Sequence, residues 1–213
     1  MPRQISLAMP DLRRTDATSV FVAQVYVPGR ASGLETAAHL AEQWSRPGRP
    51  SSVLSFSCYL STGEDTVLTY VQCDDGDSYH PFVRSLEGAA QWPAVEYRLR
   101  RSVRPAGNDG PPACVVVATF DVDGAERQDR VIDSLSDAIE GMPADRTEGM
   151  ISANFHVSTD ASRVLNYAEW TSDEAHTAFL GSTTREATKR ASGGIPGVRP
   201  IGFKRYHLLH GIR

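Results

Sequence analysis

Residues 147–183 read TEGMISANFHVSTDASRVLNYAEWTSDEAHTAFLGST, and residues 50–86 read PSSVLSFSCYLSTGEDTVLTYVQCDDGDSYHPFVRSL. Aligned without gaps at an offset of 97, they agree at eight of 37 positions: Ser55/Ser152, Ser61/Ser158, Thr62/Thr159, Val67/Val164, Leu68/Leu165, Tyr70/Tyr167, Phe82/Phe179 and Ser85/Ser182. Upstream, VFVAQVYV (20–27) matches VVVATFDV (115–122) at four of eight positions, offset 95. Downstream, WPAV (92–95) meets IPGV (195–198), offset 103. Three pieces in the same order, with an offset that drifts as loop lengths change, mark an internal duplication.

The Gly/Pro-rich RPAGNDGPPA (104–113) has no apolar periodicity. It divides the chain into a first half, 1–104, a linker, 105–113, and a second half, 114–213. Each half opens with a β-rich run (20–27; 115–122) and continues into a helix. In the first half, Ser32 to Glu35 has the spacing of a capping box, and Leu34, Ala37, Ala38, Ala41 and Trp44 keep helical spacing. In the second, Val131, Leu135, Ala138, Ile139 and Met142 do the same, and Gly141 and Pro143 mark the stop. Two strands follow, 53–60 and 66–73, then 150–157 and 163–170, with STGEDT and STDASR as their turns. A second helix comes next. Thr171 to Glu174 reads as its capping box in the second half, and Pro81 should shorten it in the first. A last strand closes each half, 95–103 and 198–209.

The order β-α-β-β-α-β, given twice, predicts an α+β chain of two tandem ferredoxin-like domains, each a sheet with both helices on one face. Leu165 and Tyr167, like Leu68 and Tyr70, point to the other face and make it read as apolar. The two sheets are therefore expected to pack face to face as an intrachain α+β barrel.

Composition sets the functional limits. Of 213 residues, 40% are hydrophobic and 23% charged, as in an ordinary globular protein. A net charge of −4 gives no electrostatic footprint for nucleic acid or an anionic membrane. The clusters Arg98, Arg100, Arg101, Arg104 and Lys189, Arg190, Lys204, Arg205 read as solvated strand and helix faces. Cys58, Cys73 and Cys114 have no C-x-x-C spacing, which argues against a disulfide scaffold or thiolate metal site and suits a reducing compartment. With no apolar leader or run near 18 residues, the expectation is a cytoplasmic protein without membrane or nucleic-acid partners.

Within the repeat, VLNYAEWT (164–171) carries the chemistry. At a side-chain period of two, Asn166, Ala168 and Trp170 share one face of the strand. An amide and an indole on a buried face either satisfy each other's surroundings or wall a pocket. This strand with the following residues, NYAEWTSDEA (166–175), resembles the antibiotic biosynthesis monooxygenase family. The resemblance implies a dimeric ferredoxin-like α+β barrel, here fused into one chain. It also implies oxidation of a small aromatic substrate, a polyketide-type phenol or anthrone, to a quinone by O2 with no cofactor. By the same resemblance Asn166 and Trp170 match the family's pocket pair, and Arg190 stands where a later pocket arginine is expected.

Neutral N–H donors such as these can stabilise an oxyanion in a dry pocket, and a fixed arginine can lower a phenol's pKa. His176, six residues after Trp170, is a candidate proton acceptor. The expected catalytic set is thus Asn166, Trp170, His176 and Arg190, with Asn166 and Trp170 on the substrate oxygen or peroxide. The first half has Thr69, Cys73 and Tyr79 at the positions of Asn166, Trp170 and His176, which makes it the scaffold and gives one site per chain.

Blander readings stand beside these. Trp44 and Trp92 carry no motif and read as packing, and Glu186 is spaced to pair with Arg190 on a helix. His207 and His210 face opposite ways on a strand, and His39, His80 and His156 have no second ligand at useful spacing, so no metal is expected. Rival functions are a haem-degrading enzyme of the same fold, which needs a histidine on iron, and a non-catalytic ligand-binding barrel in a biosynthetic pathway. Further dimerisation of the tandem chain is compatible with all three.

Overall fold

The structure is a computed structural model that describes residues 9–87, 93–108, 110–181, 190 and 192–213. The first half runs β1 (Ser19–Tyr26), α1 (Arg30–Ser45), β2 (Val53–Ser61), β3 (Thr66–Cys73), α2 (Tyr79–Ser85) and β4 (Val95–Val103). The second runs β5 (Cys114–Val122), α3 (Ala125–Glu140), β6 (Met150–Ser158), β7 (Arg163–Trp170), α4 (Asp173–Gly181) and β8 (Val198–Ile212). Hydrogen bonds order the strands β4-β1-β3-β2 and β8-β5-β7-β6, the same permutation twice, so each half has the ferredoxin-like sheet expected from the repeat. Among the described residues, no helix is long and apolar enough to cross a membrane.

The chain forms two compact units, Met1–Arg98 with Tyr206–Arg213, and Leu99–Arg205. These units depart from the sequence halves at β4 and β8, each of which passes from one unit into the other. The 15-residue β8 extends past the 209 expected, and its end finds hydrogen bonds on β2 in the first unit, from Ser61↔Tyr206 to Phe56↔Ile212.

Local chemistry repeats along with topology. In the turn after β2, Ser61 Oγ accepts from the N–H groups of Asp65 and Thr66 and donates to Asp65 Oδ1. After β6, Ser158 Oγ accepts from Ser162 and Arg163 N–H and donates to Asp160 Oδ1. Glu64 and Ala161, equivalent positions, both adopt φ 59°. The helix starts differ from the capping-box reading. Ser32 lies inside α1, which begins after Gly29 at φ 151°, a conformation left to glycine. Ser172 rather than Thr171 caps α4, its Oγ accepting from Ala175 N–H at 3.1 Å. Pro81 falls in the first turn of a seven-residue α2, the short helix expected.

The second face of β6 and β7 is less apolar than its Leu165 and Tyr167 imply. Ser152 Oγ donates to Glu169 Oε2 at 2.6 Å, while Asn154 Nδ2 donates to Ser152 Oγ and to the Tyr167 carbonyl. Ser102 Oγ donates to Asn154 Oδ1, and Arg104 lies 3.7 Å from Glu169. Alternation put these polar residues on the same face as Leu165, and their mutual hydrogen bonds make burial affordable. His156 is fully buried there, its Nδ1–H donating to the Asn154 carbonyl at 3.0 Å.

Burial lowers the pKa of His156 to about 4 from an ordinary 6.5, so the unfolded chain binds a proton that the folded one refuses between those values. Stability should fall as pH drops from 6.5 to 4 and level off below, by about 3 kcal/mol from this residue. Denaturant unfolding across that window checks it: His156→Gln should flatten the slope, and an unchanged slope would refute the assignment.

Candidate active site

The helix-facing side of β7 carries Asn166, Ala168 and Trp170, as the period of two requires, and all three line one cavity of about 310 Å³ in the second unit. This lies near the lower end of the roughly 300–1,000 Å³ typical of small-molecule sites. Strand β5 contributes Val116, Ala118 and Phe120, α3 contributes Leu135 and Ile139, and α4 contributes His176, Phe179 and Leu180. Met150, Phe155, Ser192, Pro200 and Phe203 complete the described wall. It is an apolar chamber with a handful of polar groups.

Two of those groups have no hydrogen-bond partner among the described residues: Asn166 Oδ1 and Trp170 Nε1, both buried atoms. An unpaired buried polar atom costs about 1–3 kcal/mol, so these two, on residues that line one hollow, are the wall's candidate contacts for a hydrogen-bonding guest. At about 3.3 Å per residue the two sit about 13 Å apart along β7 at their backbones. They therefore address different parts of a guest, rather than a single oxygen.

In the first half, aromatic rings pack at positions equivalent to much of this wall. There Phe21 stacks on Tyr79 at 3.7 Å between ring centroids, Trp44 stacks on Phe56 at 4.5 Å, and Phe82 meets Trp44 edge-on at 5.2 Å. At the offsets of the repeat, the second half has Val116 for Phe21, Ile139 for Trp44, Ala153 for Phe56 and His176 for Tyr79. Rings fill the space in one copy and smaller side chains leave it open in the other.

His176 is 3% exposed and its ring meets Trp170 edge-on, centroids 5.0 Å apart. Its Nδ1 accepts from Arg205, whose Nε is 3.2 Å and Nη2 3.0 Å away. A guanidinium can only donate, so Nδ1 is the bare nitrogen and Nε2 carries the proton. Burial, and then the Arg205 charge, lower the His176 pKa to about 4 despite the opposing effect of Asp173. The ring is neutral at pH 7, with a donor rather than an acceptor on its free edge. This sets a donor where the sequence reading expected a proton acceptor.

Arg190 is exposed and is not among the residues lining the cavity. Its suggested partner Glu186 lies outside the described residues, as does Trp92, whereas Trp44 is buried as expected. The arginine that the structure brings to the site is Arg205, read from sequence as a solvated face. Its side chain is 18% exposed and also reaches Asp173 at 3.6 Å and Thr177 Oγ1 at 3.0 Å. A signal did exist: Phe203 and Arg205 share one face of β8, and Phe203 meets His176 edge-on at 5.5 Å.

A ferredoxin-like domain holding an apolar, partly hydrogen-bonding chamber between sheet and helices is the class that the second half defines. Residues 113–191, within the second half, match the family model for antibiotic biosynthesis monooxygenase. Across the whole chain, a crystal structure of an anthrone oxidase-like protein superposes with a TM-score of 0.67 at 13% identity, covering 93% of this chain and 94% of that one. A chlorite dismutase mutant from Candidatus Nitrospira defluvii gives 0.57 at 12%, covering 93% and 92%. A heme-degrading enzyme from Listeria monocytogenes gives 0.50 at 14%, covering 89% and 98%. At such identities the likeness is one of fold. No curated protein sequence matches the chain.

Replacing Asn166 by Leu removes an unpaired acceptor from an apolar wall. Asn166→Leu should raise stability by about 1 kcal/mol in chemical denaturation while weakening guest binding. A loss of stability would show that the amide already has a partner.

Proposed function

We propose that the second half is a cofactor-independent monooxygenase that oxidises an anthrone or related polycyclic phenol to a quinone with O2. The observation that carries this is a pair of buried atoms without a partner among the described residues, Asn166 Oδ1 and Trp170 Nε1, on two residues that line one apolar cavity. In this reading Asn166 Oδ1 accepts from a substrate hydroxyl. Trp170 Nε1–H and His176 Nε2–H donate to oxygen that becomes anionic during the reaction.

The overall change converts a ring CH2 and O2 into C=O and water. The ionised substrate's carbon passes an electron to O2, and the resulting radicals join in a C–O bond as a peroxide anion, which takes up a proton. Loss of the remaining C–H proton then breaks the O–O bond and expels hydroxide, leaving the carbonyl; the hydroxide is protonated to water. Four electrons leave the carbon and four reduce O2.

His176 is the one titratable side chain in the described wall, and its free edge is a donor. The substrate therefore enters as its anion or loses its proton to water. The donor set argues against the haem-degrading alternative. A histidine ligating iron through Nε2 needs its proton on Nδ1, the position where His176 accepts from Arg205. A non-catalytic binding role remains the contrasting outcome of the test below.

Oxygen uptake by metal-free protein with a panel of anthrones and hydroquinones is the measurement. Trp170→Phe should lower kcat by about 100-fold and Asn166→Ala should mainly raise KM. The pH–rate profile should follow the ionisation of the substrate, with no inflection near the ordinary histidine range. Binding without oxygen consumption would make this a carrier, and equal rates in the variants would place the chemistry elsewhere.

A further inference from the structure

We infer that Arg205 is a positioning residue that locks His176 as an Nε2–H donor, so that His176 and Trp170 together form a two-donor site for an oxyanion. The inference deepens the reading above, resting on its claim that the cavity takes a phenol, and it narrows the bound form to the phenolate or enolate.

Geometry at three points supports it. Arg205 meets His176 Nδ1 with both Nε and Nη2, an arrangement that excludes a proton on that nitrogen. The guanidinium is itself fixed, by Asp173 at 3.6 Å and by Thr177 Oγ1, which in turn donates to the Asp173 carbonyl at 2.8 Å. Beside the imidazole lies the Trp170 ring, which lines the cavity and whose indole N–H has no partner among the described residues. The polarity of the relay runs one way: a cation donates to a neutral ring, and the ring offers a proton to the guest. An anionic oxygen answers this, whereas a hydroxyl offering its own proton does not.

The charged groups acting on His176 are Arg205 from β8 and Asp173 from the start of α4, and Asp173 also hydrogen-bonds the Cys114 thiol of β5, near which Glu174 lies. The Arg205–Asp173 pair neutralises itself in part, so the imidazole rather than a bare cation meets the guest. Lysine at this position would keep the charge but lose the forked contact with one nitrogen.

Two readouts test this without turnover. Long-range 15N–1H NMR of the full chain should show His176 as the neutral Nε2–H tautomer from pH 5 to pH 9. The probe for the anion site is 2-hydroxyanthraquinone, already oxidised and coloured differently when ionised. Bound to wild type it should ionise about one unit lower than when bound to Arg205→Met, a tenfold difference in phenolate preference, with Arg205→Lys between them. In Arg205→Met the His176 proton should redistribute between both nitrogens. An Nδ1–H or doubly protonated ring in wild type at pH 7 overturns the inference, even should the variants fail to fold. So does an Arg205→Met protein that retains both the tautomer and the probe's ionisation. If both readouts appear but no anthrone is oxidised, the anion site stands and the oxygenase reading falls.

Discussion

A buried amide oxygen and a buried indole N–H, both without partners among the described residues, belong to side chains that line the same apolar hollow in the second unit. Everything functional in this fold depends on that deficit. Water, protein groups or a bound guest satisfy such atoms, and leaving them bare costs stability. Strand β7 sets the deficit up by backbone period alone: Asn166, Ala168 and Trp170 must share a face, and the small Ala168 between them leaves room.

The duplication supplies an internal control. Both halves have the same strand order, the same serine-centred turn after their second strand and 16-residue first helices. They differ in what the sheet and helices enclose. Stacked aromatic rings occupy the first copy, and the second replaces several of them with Val, Ile and Ala. A packed copy that holds the scaffold frees the other from the need to fill its interior.

Much of this was legible in the sequence, because it depends on local periodicity. The repeat gave the element order, and alternation along β7 named the face that carries Asn166 and Trp170. What depends on packing across distant elements was not legible. Whether a chamber stays open is a matter of side-chain volumes summed over β5, α3, β6, β7 and α4. The pairing of Arg205 with His176 spans 29 residues and the register of β8, whereas Arg190 was named through the family resemblance alone. His176 was read from sequence as a candidate proton acceptor, without the Arg205 contact that bears on its tautomer, since the sequence does not reveal that partner. The polar network behind Leu165 and Tyr167 escaped notice for a related reason: Ser152, Asn154 and Glu169 are tolerated in the interior because of each other.

The central claim is that one guest binds per chain, against the indole of Trp170. Titrating 15N-labelled protein with 2-hydroxyanthraquinone while following the indole N–H signals tests it most directly. The account predicts that the Trp170 signal moves strongly as it gains an acceptor, saturating at one equivalent, while the signal of Trp44 in the ring-filled first half stays in place. A Trp170 signal that remains still, or a Trp44 signal that moves in its stead, would contradict it.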